Sequence, residues 1–333
     1  MAAMNKQVLL ANRPTGWVQE SDFRIVDSPM PVPREGEMLI RTLFLSLDPY
    51  MRGRMSAARS YATPVDIGAV MTGGTVGEVI DSKHPDYKRG DIVVGYVGWQ
   101  QYGVSDGRGL RKITPGPVPL GAYLGTVGMP GVTAWIGLLD IGQPKPGETV
   151  VVSAASGAVG STVGQLAKIK GCRAVGIAGG KAKCDYVVNE LGFDACVDYK
   201  AAAFERDLAA ATPDGIDVYF ENVGGAVSDA VLPRLNNFAR IPLCGLIAQY
   251  NATEPHPIPD ARPFLSKRIK LQGFICSDTM ERWPDALDQL GRWVAEGRIK
   301  YRETIADGLE NAPRAFIGML KGENFGKQLV KVA

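Results

Sequence analysis

The residues with the clearest chemical meaning lie at one turn. Thr149-Val-Val-Val-Ser-Ala154 is an apolar β run that leads into Ala155-Ser156-Gly157-Ala158-Val159-Gly160. This matches G-x-G-x-x-G with Ala155 in the first position, and Val159, Val163, Leu166 and Ala167 follow at helical spacing. Without a Cβ, Gly157 lets the backbone approach a pyrophosphate, and Gly160 lets the helix pack close to the strand. The free N–H groups and positive end of that helix would then hold phosphate charge, at Gly157, Ala158, Val159 and Gly160. The alternative is a tight turn that uses small residues for packing alone.

The next strand end bears on which dinucleotide would bind. A site for NAD places Asp or Glu roughly 20 residues on, bonding the ribose 2′-hydroxyl. Here Gly176-Ile-Ala-Gly-Gly-Lys-Ala-Lys183 holds no acid and two lysines. A 2′-phosphate needs cations there, so NADP(H) is expected. Lys181 and Lys183 read alternatively as solvated residues of a helix's first turn. Only two histidines are present, in His84-Pro85 and Pro255-His256-Pro257, and both read as loop residues. Neither pairs with a Cys or carboxylate at metal-ligand spacing, so no metal is expected. Proton chemistry falls to Tyr, Lys, a carboxylate, a ligand hydroxyl or water.

Such a turn needs a parallel sheet behind it. Thr149–Ala154, Cys172–Ala178, Ala195–Tyr199, Ile216–Asn222 and Ala239–Ile247 read as strands. Between them, Val159–Lys170, Lys183–Leu191, Phe204–Ala211 and Val227–Leu235 read as helices, so βαβ units are expected. Arg282–Glu296 adds a helix, after which the alternation is lost. Before residue 126 lie short β-rich runs, Gln7–Ala11, Met38–Leu47, Gly74–Ile80 and Asp91–Tyr96, broken by Gly and Pro. The fold class expected is α/β: a Rossmann doubly wound parallel sheet joined to a mostly β domain.

Composition narrows the partners. The 333 residues suggest two domains at roughly 150 residues each. Lys and Arg number 37 against 35 Asp and Glu, a balance that carries no footprint for nucleic acid or an anionic membrane. No apolar run reaches the ~18 residues of a membrane span, and no signal-peptide core follows the first residues. Five cysteines at 172, 184, 196, 244 and 276 show no CxxC spacing, as expected of reduced thiols in a cytoplasmic protein.

Six segments resemble a known family. They are Ser46-Leu-Asp-Pro-Tyr-Met-Arg52, Gly128-Met-Pro-Gly-Val-Thr-Ala134, Ala154-Ala-Ser-Gly-Ala-Val-Gly-Ser161, Phe220-Glu-Asn-Val-Gly-Gly225, Cys244-Gly-Leu-Ile-Ala-Gln-Tyr-Asn251 and Asn324-Phe-Gly-Lys327. In this order they resemble the zinc-independent medium-chain dehydrogenase/reductases, in the group of prostaglandin reductases, plant double-bond reductases and bacterial curcumin reductases. Zinc-bearing relatives carry Gly-His-Glu where this sequence has Gly73-Gly74-Thr75. The resemblance implies a GroES-like catalytic domain over 1–126, completed by 302–333, and a Rossmann NADP(H)-binding domain over 127–301. It also implies a homodimer, and NADPH as hydride donor to the C=C bond of α,β-unsaturated ketones or aldehydes.

Residue by residue, the resemblance assigns Lys183 and Tyr199 to the 2′-phosphate region and Asn222 to the cofactor's side. It assigns Cys244, Gly245, Leu246, Ile247 and Tyr250 to the next loop, Phe274, Ile275 and Cys276 to the nicotinamide, and Asn324 to the cofactor. The segment Phe274–Met280 matches the family poorly. Reducing an enone needs hydride at the β-carbon, stabilisation of the enolate oxygen and a proton at the α-carbon. A neutral Tyr can donate to that oxygen. Tyr250 is the first candidate, against a reading as a packed strand cap. Tyr50 is the second, with Arg52 beside it on the substrate side; Asp48-Pro49 is also an ordinary turn opener, so both could brace a loop. Rival readings are a quinone oxidoreductase of the same fold and a non-catalytic NADPH-binding protein.

Overall fold

The computed structural model describes residues 4–333. Among them two units are distinguished, one running to Leu124 and resuming at Glu303, the other Gly125–Arg302.

The first unit begins with β1 (Met4–Leu10), antiparallel to β2 (Phe23–Pro29). Then come β3 (Met38–Ser46), α1 (Met51–Arg54), β4 (Thr75–Ser82), β5 (Ile92–Gly95), β6 (Tyr102–Ser105) and β7 (Arg111–Ile113). Alternation along β3 sends Met38 and Ile40 into one cluster with Val79 and Val93. Gly77 of β4 lies so close to β3 that a Cβ would sit 2.7 Å from the Arg41 carbonyl oxygen. The β3–β4 register shifts beside it, between Thr42 and Phe44, a bulge that bends the pair.

In the second unit α2 (Met129–Trp135) runs into a wider turn over Ile136–Gly142. There follow β8 (Thr149–Ser153), α3 (Ala158–Ile169), β9 (Arg173–Ala178), α4 (Lys181–Asn189), β10 (Ala195–Asp198), α5 (Phe204–Ala211) and β11 (Ile216–Phe220). Next are α6 (Gly225–Val231), β12 (Leu235–Leu243), α7 (Arg262–Ser266), β13 (Lys270–Gly273) and α8 (Trp283–Ala295). The sheet order is β10-β9-β8-β11-β12-β13, and every pairing is parallel. Both faces are covered. Val150 and Val152 pack with α3 residues Val163 and Leu166 on one side, and Val151 packs with Leu208 and Val231 on the other. That is why the central strands are continuous valines. Strand order reverses between β8 and β11, which opens a crevice at the carboxyl ends of these strands.

The chain then returns to the first unit as β14 (Glu303–Asp307), α9 (Ala312–Leu320) and β15 (Lys327–Lys331). β15 pairs antiparallel with β3 and parallel with β14, so the last strands of the chain complete the sheet that β3 begins. The structure is thus the α/β fold expected, a Rossmann sheet and a mostly β unit. It differs at β12, which begins at Leu235 and ends at Leu243, several residues before the reading Ala239–Ile247. Phe238 takes a left-handed φ of 62° inside the strand, and the β11–β12 register shifts there. The bulge and the two asparagines before it, Asn236 and Asn237, read as a loop from sequence.

Candidate functional site

All the turns at the carboxyl ends of the second unit's sheet carry residues with chemical potential. At the β8–α3 turn, Ala154 adopts φ 52°, and its carbonyl accepts the Gly157 N–H at 2.9 Å. A Cβ on Gly160 would lie 2.3 Å from that same carbonyl oxygen, so only glycine lets α3 start this close. Gly157 is different. Its φ of −82° suits any residue, and a Cβ there would meet only the Ala154 oxygen, at 3.2 Å. The first-turn N–H groups of α3, from Ala158, Val159 and Gly160, have no acceptor within the helix and point out over this bare backbone. The turn therefore fits a pyrophosphate.

The ends of β9 and β10 form a cationic corner. Tyr199 lies against Gly179, where a Cβ would come within 2.8 Å of its ring, and Gly180 holds φ 95°. Asp198 clamps the corner by accepting the N–H of Gly180 at 2.8 Å and that of Lys200 at 2.9 Å. Lys183 is half-buried, and burial together with nearby Lys200 holds its ammonium below the usual lysine range. Lys181 instead pairs with Asp185 on an exposed helix face, 2.6 Å away. The structure thus separates the two lysines and adds Lys200, which sequence reasoning missed. Its position directly after Tyr199 was the available signal.

At β11 the central group is Glu221, a buried carboxylate. It accepts from Ser153 Oγ at 3.0 Å, Val223 N at 2.7 Å and Gly224 N at 3.0 Å, and from the Ser228 hydroxyl. Asn222 Nδ2 in turn donates to the Ser153 carbonyl at 2.9 Å. The loop after β12 is zipped onto this turn: the N–H groups of Cys244 and Gly245 donate to Glu221 O, Ile247 to Asn222 O and Ala248 to Val223 O. So Asn222, Cys244, Gly245, Leu246 and Ile247 come together as expected of neighbours. Burial pushes the Cys244 thiol up to about 12, which leaves it a poor nucleophile. Tyr250 closes the loop, its hydroxyl accepting the Leu246 N–H at 3.3 Å.

The β13 end is held by ring packing and main-chain hydrogen bonds. The Phe274 ring turns into the core, 6.2 Å from that of Phe220, and a Cβ on Gly137 would sit 2.5 Å from it. Cys276 offers its carbonyl to Trp283 Nε1 at 2.9 Å, and Ile275 offers its own to the Asp278 N–H at 3.0 Å. In this segment Phe274, Ile275 and Cys276 anchor the start of α8, and the Phe274 side chain is a packing group.

In the first unit, burial, then Asp48 and Tyr96, push the Tyr50 phenol well above the usual tyrosine value, so it keeps its proton across neutral pH. Arg54 lies over the Tyr50 ring at 5.5 Å. Arg52 is buried and donates to the carbonyls of Pro14 at 3.2 Å and Gly16 at 2.9 Å. Through these bonds Arg52 braces that loop, the alternative that the sequence left open beside a place on the substrate side. Sequence reasoning also missed a buried ion pair. Lys327 Nζ lies 2.5 Å from Asp48 and donates to the Leu47 carbonyl at 2.8 Å, while Ser46 donates to the same carboxylate. The pair joins Leu-Asp-Pro-Tyr to Asn-Phe-Gly-Lys, so these two motifs meet as structural partners. Asn324 uses Nδ2 on the Gly326 carbonyl, 2.8 Å away.

This doubly wound sheet, with its bare glycine turn and cationic corner, defines a dehydrogenase/reductase of the medium-chain type. Residues 6–113 match the family described as N-terminal domain of oxidoreductase, and residues 158–292 the family described as zinc-binding dehydrogenase. The chain is similar to the NADPH-dependent curcumin reductase of Escherichia coli (strain K12), 56% identical over 335 residues, covering 99% of this chain and 97% of that protein. The 2-alkenal reductase (NADP(+)-dependent) of Nicotiana tabacum is 43% identical over 338 residues, 99% of this chain and 98% of that protein. The crystal structure of CurA in complex with NADPH from Vibrio vulnificus superposes with a TM-score of 0.95 at 53% identity, covering 98% of this chain and 99% of that one. The chain belongs to the zinc-independent medium-chain dehydrogenase/reductases, in the group of curcumin, prostaglandin and 2-alkenal reductases. Among the described residues no three His, Cys, Asp or Glu side chains converge as metal ligands.

Proposed function

We propose that this protein reduces the C=C bond of α,β-unsaturated ketones and aldehydes with NADPH, adding hydride to the β-carbon and a proton to the α-carbon. The observation that carries the reading is the end-to-end match, at 56% identity, to a protein named NADPH-dependent curcumin reductase. The Lys183, Tyr199 and Lys200 corner supports the choice of NADPH, since a 2′-phosphate needs cations where an NAD site carries an acid. Residues 127–301 are assigned to cofactor binding, and 1–126 with 302–333 to the catalytic lobe.

When bound, the reduced nicotinamide supplies the hydride. Gly157 to Gly160 hold the pyrophosphate through main-chain N–H groups, and Glu221 keeps the adjoining turn and Asn222 in place. Tyr250 is assigned the hydrogen bond to the developing enolate oxygen, with Tyr50, which stays neutral, as the second candidate. Asn324 is assigned to the cofactor from the first unit. We further assign a homodimer in the cytoplasm. Support for the dimer comes from β13, an outer strand of its sheet bearing an exposed Leu271, with exposed Leu265 just before it and exposed Phe238 on the adjoining β12. Five free cysteines suit a reducing compartment. No helix among the described residues is long and apolar enough to cross a membrane.

The test follows NADPH consumption with a medium-chain 2-alkenal, a phenolic enone, a quinone and a saturated aldehyde, with NADH as control. NADPH-selective turnover of the unsaturated carbonyls, with saturated products recovered, is expected. Preference for the quinone overturns the reading. Tyr250→Phe is expected to lower turnover roughly 100-fold or more, the scale of one lost oxyanion donor. A change in NADPH affinity alone would make Tyr250 a cofactor anchor instead.

A further inference from the structure

Two of the cysteines lie directly behind the Lys183–Tyr199 corner. Cys184, on α4, is buried, and Cys196, on β10, is half-buried. Both thiols are free, and they hydrogen-bond to each other across the α4–β10 packing. Gly176 is the reason Cys196 can sit there. It is the β9 partner of Cys196, and a Cβ on it would lie 3.2 Å from the Cys196 sulfur. Their mutual contact holds the Cys184 thiol below its ordinary value, and the same contact with burial raises Cys196. Two free thiols facing each other between a helix and a strand have the arrangement that a dithiol pair requires.

Cys172 instead donates to the Lys145 carbonyl at 3.2 Å, and Cys244 is held protonated by burial and by nearby Cys276. The position of the pair also matters. Cys184 follows Lys183 in the first turns of α4, and Cys196 comes two residues before Asp198, which clamps Gly180 and Lys200. Lys183 and Cys184 share α4, and β10 leads from Cys196 into Tyr199 and Lys200, so a bond between the two sulfurs would bear directly on the spacing of that corner.

We propose that Cys184 and Cys196 form a reversible disulfide in the presence of peroxide, and that closing it weakens NADPH binding at the adjoining corner. The Cys184 thiolate attacks one peroxide oxygen, forming a sulfenic acid and releasing the other oxygen as water after protonation. The Cys196 sulfur then attacks the Cys184 sulfur, loses its proton and expels the second water. In sum, two thiols and one hydrogen peroxide give one disulfide and two waters; sulfur is oxidised and peroxide oxygen reduced. A dithiol reductant reverses it by exchange. The coupling half of the proposal rests on the NADPH reading above, whereas the disulfide itself does not.

The experiment treats the full chain with near-stoichiometric hydrogen peroxide, alkylates the remaining thiols and maps the peptides by mass spectrometry. The expected result is a cross-linked pair holding Cys184 and Cys196, with free thiols falling from five to three as the one bond consumes two. Dithiothreitol restores them. On the same samples the dissociation constant for NADPH is expected to rise about tenfold on oxidation, the scale of one lost charge-assisted hydrogen bond, and to recover on reduction. The constant for NADH is expected to stay within about twofold, since it lacks the phosphate that bond would serve. Cys184→Ser and Cys196→Ser should each abolish both the cross-link and the peroxide sensitivity of NADPH binding. The native-sequence map stands even if a variant fails to fold. Oxidation scattered over other cysteines without the link overturns the site. The link with unchanged NADPH affinity, or with equal loss for NADPH and NADH, overturns the coupling. No NADPH binding by the reduced protein overturns the NADPH reading and leaves the disulfide result intact.

Discussion

The two βα turns that meet where the strand order reverses are held by opposite means. The β8–α3 turn is shaped by missing side chains, since Gly160 packs where a Cβ would sit 2.3 Å from the Ala154 oxygen. The β11–α6 turn is shaped by an added one, the buried Glu221 carboxylate with its two backbone and two hydroxyl donors. An empty turn exposes N–H groups to an anionic ligand. A filled turn uses its N–H groups internally, and so it can only position neighbours. The first is a place to bind and the second a frame beside it.

Removing the frame should give the largest effect. Glu221→Ala leaves two N–H groups and two hydroxyls to find new acceptors in a buried site, a loss of about 3 kcal/mol or more. A denaturant melt measures it, and Glu221→Gln should recover part of the loss because its amide oxygen still accepts. Equal stability of Glu221→Ala and the native chain would show that water replaces the carboxylate and that the turn is not a frame. Gly160→Ala comes next, at about 2 kcal/mol, since α3 must retreat from the Ala154 carbonyl. A melt within ~0.5 kcal/mol of native would mean that the turn has slack the contact distances deny.

Gly157→Ala separates packing from binding within the same turn. The φ there is ordinary and the new methyl meets one oxygen at 3.2 Å, so stability should change by less than ~1 kcal/mol. NADPH affinity, measured by titration, should nevertheless fall roughly 30-fold, because the methyl stands over the backbone that a pyrophosphate must approach. Unchanged affinity would remove Gly157 from the cradle and leave Gly160 as a packing residue alone.

The contrast between the turns also explains what was legible in the sequence. Fold class followed from local pattern, because continuous valines and helical spacing act over a few residues. The β8–α3 turn was legible for the same reason, its glycines adjoining the strand and helix that use them. Glu221 was not legible as a hub, for two of its partners, Ser153 and Ser228, lie on other elements and only the sheet brings them in. The Asp48–Lys327 pair was hidden more deeply still, since its members meet only when β15 returns to β3. Arg52 and Phe274 show what local sequence leaves out in the other direction. Each lies in or beside a motif, but its packing partners, the Pro14 and Gly16 carbonyls for Arg52 and the Phe220 ring for Phe274, are distant in the chain. Lys200 of the cationic corner was missed because the search for cations covered only the end of β9, and at β10 only Tyr199 was carried over from the resemblance, one residue short of it.

That corner supplies the smallest expected effect. Lys183→Ala should weaken NADPH roughly tenfold and leave NADH within about twofold, because only NADPH presents the 2′-phosphate. The effect is modest since Lys200 remains beside it. The pH dependence works in one direction. Burial and Lys200 lower the Lys183 ammonium's pKa in the free protein, and a bound dianion would raise it again. Binding of NADPH therefore takes up a proton above neutral pH, and its affinity should fall as pH rises through the lowered lysine value, while NADH affinity stays level. In Lys183→Ala that slope should flatten. A slope that survives the substitution would show that Lys183 is not the titrating group and make it a solvated first-turn lysine after all.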